Sequence, residues 1–281
     1  MSNDSFLHHH HLQAFITRFK PSTTTTIVNL HPRGLKNWIE LTLEIWTKPP
    51  LSWLFPSMES NMSDSYYIIS RAILATKNDS VDEINDYLID RFHREEKVYY
   101  SFDEAIDDKN GFYPVEFLNS LTVGGLPPHY LQLKIGCPVI LLPKIDPTNG
   151  LCNDTRLICK SFQHHVVDAE IAVGQHAGKR VFLPKIPLTP SDNDMFPFKL
   201  KRKQIPVRLC FAMTINKAQG QTIPYVGIYL PEPVFSYDQL YVALSREISR
   251  ANTKVLVLTD EKSTSDEVYT SNVVYREVLS D

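Results

Sequence analysis

Apolar segments rich in β-forming residues alternate with segments of helical spacing towards the carboxyl end of the chain. The alternation predicts a strand, a turn with a short helix that ends at Gly220, a strand, a helix and a strand, over residues 205–213, 214–220, 226–230, 237–246 and 254–259. Strands that alternate with helices form a mainly parallel sheet with crossover helices. We therefore predict an α/β fold, with any ligand at the carboxyl ends of the strands.

Composition limits the kinds of partner. The 281 residues are 43% hydrophobic and 22% charged, which is enough for one large domain or two small ones. A formal net charge of -3 means that any nucleic-acid site has to come from local basic patches. The four cysteines have no CxxC pair or zinc-ligand spacing, so we predict no metal site and reduced thiols. No apolar stretch approaches the roughly 20 residues of a membrane span, so no membrane partner is expected.

A strand, a polar turn and a helix are predicted between residues 67 and 92. Residues 67–75 are rich in β-formers, and Ser80 with Glu83 fits a capping box at the start of a helix. Thr76, Lys77 and Asn78 lie between the two elements, where free backbone N–H groups suit a phosphate. They are either a phosphate contact or an ordinary connection between strand and helix.

The middle of the chain is β-rich. Short strands are predicted at residues 137–142, 155–161, 167–173 and 180–183, and four prolines within 184–197 indicate an extended loop. Several short strands in so few residues indicate a small barrel or a twisted β-unit. A basic run follows, and it is either a solvated charge run or a groove that contacts phosphates; it comprises Lys199, Lys201, Arg202 and Lys203.

The predicted parallel sheet has polar residues at one strand end and an arginine at the end of a helix. Gly220 permits close backbone approach, and the neighbouring side chains donate hydrogen bonds that suit phosphate and sugar oxygens; they are Thr214, Asn216, Lys217 and Gln219. Arg246 can present a planar fork to a phosphate. A helix-terminal arginine on its own more often offsets the helix dipole, so the interpretation depends on the two motifs together.

Four sequence blocks resemble the carboxyl-terminal half of a Pif-type (petite integration frequency) superfamily-one DNA helicase and are most similar to the Helitron-transposon branch. They are RAILATKNDSVDEIN at 71–85, FLNSLTVGGLPPHYLQLKIGCPVILLPKIDPTNGLCNDTRL at 117–157, RKQIPVRLCFAMTINKAQGQT at 202–222 and QLYVALSR at 239–246. The resemblance implies an α/β fold with a RecA-like parallel sheet and flanking helices, the second helicase lobe, over residues 51–150 and 198–265. An SH3-like β-barrel would be inserted at 151–197, residues 1–50 are unassigned, and 266–281 form a tail.

The resemblance also implies roles for the predicted site residues. The contacts to single-stranded DNA would come from Thr76, Lys77, Asn78, Thr214, Asn216 and Lys217. Gln219, Gly220 and Arg246 would face ATP, with Arg246 as the arginine finger. The complete enzyme would unwind duplex DNA in the 5′ to 3′ direction with ATP and Mg²⁺, in the nucleus. Asp154 stands where the family usually has glycine, and Asp tolerates left-handed backbone better than most residues.

A phosphate-binding loop and a strand-terminal acidic residue for magnesium are both required for phosphoryl transfer of this kind, and neither is found in the sequence. Residues 174–179 are one residue short of the loop, have Arg180 in place of Ser or Thr, and lie between predicted strands. Residues 98–104 imitate a strand that ends in Asp-Glu and are predicted to be an ordinary surface segment.

Three interpretations remain open. The chain is a helicase fragment that needs a partner with the missing amino-terminal half, and alone it is inactive and binds no nucleotide tightly. Alternatively it is a non-catalytic single-stranded nucleic-acid-binding module, or a decayed transposon remnant that folds poorly. Further coding sequence upstream with a GxxGxGKT motif would favour the first interpretation.

Overall fold

The structure, a computed structural model, describes residues 14–19, 26–29, 38–43, 54–108, 111–190, 196–246, 252–257 and 268–273. The helices are α1 (Met58–Asn61), α2 (Ser65–Ile69), α3 (Asn78–Asp90), α4 (Val115–Ser120) and α5 (Gln239–Leu244). The strands are β1 (Ala14–Phe19), β2 (Thr26–Asn29), β3 (Trp38–Leu43), β4 (Arg71–Ala75), β5 (Glu96–Tyr100), β6 (Phe102–Ala105), β7 (Tyr130–Lys134), β8 (Pro138–Leu141), β9 (Arg156–Phe162), β10 (Val166–Ile171), β11 (Arg180–Pro184), β12 (Ile186–Leu188), β13 (Leu200–Gln204), β14 (Val207–Leu209), β15 (Ala212–Thr214), β16 (Tyr225–Leu230), β17 (Thr253–Val257) and β18 (Val268–Val273).

The chain divides into two compact units. The first comprises residues 1–50, 73–78 and 214–281, and the second comprises residues 51–72 and 79–213. Among the described residues, no helix is both long and apolar enough to cross a membrane.

A six-stranded sheet with the order β15-β4-β16-β17-β3-β2 runs through the first unit. β16 and β17 pair in parallel from Val226 opposite Thr253 to Leu230 opposite Val257, and β17 also pairs in parallel with β3. Nearly every residue of β16 and β17 is buried, as in parallel strands covered on both faces. The strands predicted at 226–230 and 254–259 are therefore present, and the second begins one residue earlier than predicted; residues 258 and 259 lie outside the described residues.

The second unit contains a five-stranded antiparallel sheet with the order β11-β10-β9-β8-β14. The short strands predicted between residues 137 and 183 are all present in it. In β10, Val167, Ala169 and Ile171 are buried, as their alternation predicts. β8 and β14 lie outside residues 151–197, so the sheet extends beyond the predicted insertion on both sides; the SH3-like barrel stays a prediction.

A buried ion pair holds a smaller sheet of the second unit, whose strand order is β12-β13-β6. Arg202 and Asp103 face each other across β13 and β6, with side chains only 1% and 0% exposed. The Arg202 Nη2 donates to Asp103 Oδ2 at 2.6 Å and to the Leu118 carbonyl at 3.1 Å. Both interpretations of the basic run are thus wrong for Arg202, and residues 98–104 are not an ordinary surface segment, because β-alternation turns these two side chains inwards.

Helix α3 shows the burial that its spacing predicts. Val81, Ile84, Leu88 and the following Phe92 are at most 8% exposed. On the same helix Asn85 braces the end of the second unit, since its Nδ2 donates to the Ala212 carbonyl at 3.1 Å while its Oδ1 accepts from the Ala212 N–H at 2.9 Å. The rings of Phe55, Phe92 and Phe211 pack edge to face or tilted nearby.

Four predicted boundaries are wrong. α2 occupies the start of the segment predicted as a strand at 67–75, because Asp64 caps it by accepting the Tyr66 N–H at 2.9 Å. α3 begins at Asn78, so Ser80 lies inside the helix; Asp79 in the first turn offsets the helix dipole there. The strand predicted at 205–213 is divided at residues 210–211 into β14 and β15. It also begins later than predicted, after Pro206, which has no N–H to donate to a ladder. α5 is shorter than 237–246, and Asp238 before it has a φ of 58°.

Candidate functional site

A tight turn follows β15 in the first unit and contains most of the predicted site residues. Residues Ile215–Ala218 form a single 3-10 turn, and Ile215 and Ala218 are fully buried beneath it. Gly220 has a φ of 78°, which a side chain would strain. A Cβ built on Gly220 would meet no atom within 4 Å, so the turn faces open space that a ligand can occupy.

Arg246 lies against this turn. Its Nη1 donates to the Gln221 carbonyl at 3.2 Å and, at 3.5 Å, to the Ala218 carbonyl. Its Nε donates to the carbonyl of Val242, a residue of α5, at 3.0 Å. The Arg246 carbonyl accepts a hydrogen bond from the Ile223 N–H at 3.0 Å. The structure thus brings Arg246 to the turn that contains Gln219 and Gly220, although Arg246 comes 26 residues after Gly220 in sequence.

The side chains on the turn differ in exposure. Asn216, Gln219 and Gly220 are exposed, whereas Thr214 and Lys217 are half-buried. The Lys217 carbonyl accepts a hydrogen bond from Gln221 Nε2 at 2.9 Å, which fixes the turn from its far side. The turn therefore presents amide, hydroxyl and ammonium donors on a backbone whose shape is set by buried anchors and by Arg246.

Thr76, Lys77 and Asn78 follow β4, which lies beside β15 in the sheet. Lys77 and Asn78 are exposed, but Thr76 is only 4% exposed and its Oγ1 has no hydrogen-bond partner in the described part of the chain. Lys77 forms an ion pair with Glu232, which comes two residues after β16. Because Lys77 comes two residues after β4, the pair places the ends of β4 and β16 at the same edge of the sheet.

Glu232 and Gln221 are site residues that the sequence did not reveal. Glu232 comes two residues after its strand, as Lys77 does after β4. This shared position was the sequence feature from which their ion pair could have been predicted. The pairing matters because the carboxylate offsets the charge of Lys77 at the point where a phosphate was predicted. Both side chains are about half exposed, so solvent weakens the ion pair.

The segment that imitates a phosphate loop is a β-hairpin turn. Residues 174–179 connect the antiparallel strands β10 and β11, and Arg180 pairs with Asp168 on the neighbouring strand. This arrangement holds the pKa of Asp168 below its usual value, through hydrogen bonds from Arg180 and, more weakly, Ser161. The turn lies between two strands, as its predicted flanks require; that it is not a phosphate loop stays a prediction. No cluster of three potential metal ligands occurs among the residues that the structure describes.

Parts of this chain are similar to known proteins. Residues 116–162 match the family model described as DNA helicase Pif1, 2B domain. The chain is 32% identical over 126 residues to the ATP-dependent DNA helicase PIF6 of Trypanosoma brucei brucei, an alignment that covers 43% of this chain and 15% of the relative. It is 30% identical over 141 residues to human ATP-dependent DNA helicase PIF1, covering 45% of this chain and 19% of the relative. The chain thus spans less than a fifth of either protein.

One solved structure shows a related fold. The crystal structure of Pif1 helicase from Candida albicans aligns with a TM-score of 0.54 at 23% identity, over 80% of this chain and 56% of the other. This likeness shows a RecA-like α/β fold with mixed sheets. The chain is therefore related to Pif-type superfamily-one DNA helicases, and the similarity lies in their carboxyl-terminal region.

Proposed function

We propose that this chain supplies part of an ATP-dependent 5′ to 3′ DNA helicase, namely contacts to single-stranded DNA and the arginine finger Arg246. The relatives are named ATP-dependent DNA helicases. The observation that carries the proposal is the contact of Arg246 with the carbonyls of the turn that holds Gln219 and Gly220. This contact makes one surface from two separate motifs.

Arg246 suits a phosphate group that another lobe holds. A guanidinium has five N–H donors, and in the folded chain they contact the carbonyls of Ala218, Gln221 and Val242 and the Ser245 hydroxyl. The side chain is only half-buried, so phosphate oxygens can replace the weak 3.5 Å contact with Ala218. Gln219, Gly220 and Arg246 offer donors and no carboxylate. They fit ATP oxygens, whereas the Mg²⁺ ligands would come from the amino-terminal half.

The proposed single-strand grip comprises Lys77, Asn78, Thr214, Asn216 and Lys217, with Thr76 behind them. The exposed Asn78 and Asn216 supply amide donors for phosphate and sugar oxygens. Thr76 would contact DNA only if its buried hydroxyl were uncovered, and its lack of a partner supports that role. Lys77 would exchange Glu232 for a phosphate.

The proposal keeps the predicted domains: a second RecA-like domain at 51–150 and 198–265, an SH3-like insertion at 151–197 and a tail at 266–281. Nuclear location and membership of the Helitron branch are also proposals. The alternative is a non-catalytic module that binds single strands, for which the exposed Asn216 on the turn would equally supply a donor. In both cases residues 214–217 of the turn would contact nucleic acid.

Binding of a fluorescein-labelled dT20 oligonucleotide, followed by anisotropy at several salt concentrations, tests the grip. Lys217→Ala is expected to weaken binding and to reduce the log–log salt slope by about 0.7, because one phosphate contact is lost. Lys179→Ala is the matched control, since Lys179 lies on the hairpin turn and contacts Asn149. Equal effects of the two substitutions would contradict the assignment.

The finger is tested by adding the separately expressed phosphate-loop lobe of a Pif-type helicase and measuring ATP hydrolysis with dT20. If the lobes combine, hydrolysis should exceed that of either part. Arg246→Ala should then reduce it by about 10³-fold or more, while Arg246→Lys should restore only a small part because lysine lacks the planar fork. Full activity of Arg246→Ala in the active mixture would rule out the finger.

A further inference from the structure

A groove of about 460 Å³ lies on the second unit, and none of the residues that line it belongs to the proposed grip. Its walls include Tyr100 and Phe102, which are 58% and 68% exposed. Exposed apolar surface that is rimmed by polar residues is typical of a binding site. None of the residues that line the groove lies within the stretch that matches the Pif1 2B family model.

The strand register explains why Phe102 faces outwards. Asp103 and Arg202 are opposite each other on β6 and β13 and are buried, so the next pair along, Phe102 and Lys203, projects from the other face. Pro187 on β12 is opposite Lys203 and extends this face to the third strand. The buried ion pair therefore fixes an exposed row that consists of an aromatic ring, a cation and a proline.

Positive charge is concentrated around the same rings. Lys185, Lys201 and Lys203 line the groove against a single carboxylate, Glu104, which already pairs with Lys201 at 2.8 Å. Lys185 Nζ is held at the groove by donating to the Tyr100 carbonyl at 2.7 Å. Burial and, to a smaller extent, the neighbouring Lys203 lower the pKa of Lys185, so these two cations lie close to each other.

We propose that this aromatic–basic groove binds a single-stranded nucleic acid, with a base stacked on Phe102 and phosphates beside Lys203 and Lys185. Unpaired bases stack on exposed aromatic rings, and flanking lysines follow the backbone. A duplex keeps its bases stacked inside and cannot use Phe102, and an acidic peptide offers charge without a planar ring. This site is additional to the proposed grip at 76–78 and 214–217 and shares no residue with it.

The test uses the full chain and fluorescein-labelled dT12, with binding followed by anisotropy in both the parent and the Lys217→Ala background. Phe102→Ala should weaken binding about 5- to 100-fold, the range for loss of one stacked base, and Phe102→Tyr should bind like the parent. Phe182→Ala is the matched control, because Phe182 is 63% exposed on β11 but does not line the groove. Thermal melting should show that all variants are folded.

Lys203→Ala should reduce the salt slope by about 0.7 in both backgrounds. The proposal is wrong if Phe102→Ala binds dT12 as the Phe182→Ala control does. It is also wrong if a blunt duplex or a polyglutamate peptide binds the chain as tightly as dT12 does and Phe102→Ala leaves that binding unchanged. A loss with Phe102→Ala but none with Lys217→Ala would support the groove and contradict the proposed grip, so the two failures are distinguishable.

Discussion

Arg202 in the second unit and Arg246 in the first unit differ in burial and in the charge of their hydrogen-bond partners. In the second unit Arg202 is 1% exposed and donates to both oxygens of Asp103 and to the carbonyls of Leu118, Leu121 and Pro127. In the first unit Arg246 is half-buried, and all its hydrogen-bond partners are neutral: the Val242 carbonyl, the Ser245 hydroxyl and two carbonyls of the turn. A guanidinium paired with a buried carboxylate stabilises the fold, whereas one held by neutral carbonyls stays available to an anion.

The largest effect is expected from Arg202→Ala. It leaves the Asp103 carboxylate buried without its partner, so the free energy of unfolding should fall by about 3–5 kcal/mol. Urea denaturation measures the loss. Lys203→Ala, on the exposed side of the same strand, should change stability by less than about 0.5 kcal/mol. Similar losses for the two variants would remove the distinction between the faces of β13.

Replacing both members of the pair sharpens this test. Arg202→Met with Asp103→Leu removes both charges, and most of the stability lost in Arg202→Ala should return because no unpaired charge remains. A double variant as unstable as Arg202→Ala would show that the hydrogen bonds to the carbonyls of Leu118, Leu121 and Pro127 matter more than the ion pair.

Arg246→Ala should cost only about 1 kcal/mol, because it removes hydrogen bonds to neutral groups and leaves no buried charge without its partner. Thermal melting of this variant beside Arg202→Ala tests the comparison directly. A loss as large as that of Arg202→Ala would make Arg246 a structural residue and weaken its assignment as an arginine finger.

Tyr99 is a buried neutral group of the second unit, in contrast to the charged Arg202. Its hydroxyl donates to the Gln163 carbonyl at 2.8 Å, and burial, with a smaller contribution from Cys159, raises its pKa to about 12. The unfolded chain releases this proton near pH 10, so stability should be unaffected below pH 10 and should fall as pH rises from 10 to 12. Tyr99→Phe should remove this part of the alkaline loss. Tyr66→Phe, at an exposed position, is the matched control.

The smallest effect is expected at Asp154, which has a φ of 62° as its tolerance of left-handed backbone suggested. Asp154→Gly should stabilise the chain by less than about 1 kcal/mol, because glycine adopts this angle without strain, and Asp154→Ala should destabilise it. Chemical denaturation that gave the opposite order would show that the contacts of the Asp154 side chain outweigh the backbone term.

Periodicity predicted the parts of the fold in which a single face is buried. The apolar face of α3, the alternation in β10 and the buried strands β16 and β17 follow directly from residue spacing. Arg202 was missed because it stands among lysines, and only pairing with Asp103, 99 residues away, shows that it is buried. The link between Arg246 and the turn was predicted from two motifs, but Glu232 required knowledge of which strands are neighbours.

The central claim is that this chain holds an arginine finger and a DNA grip without the phosphate loop on which they act. ATP hydrolysis by the 281-residue chain in the presence of dT20 tests it most directly. The account predicts no turnover above background for the parent chain or for Arg246→Ala. DNA-stimulated turnover by the parent chain that Arg246→Ala abolishes would show a complete nucleotide site within these residues and would contradict the claim.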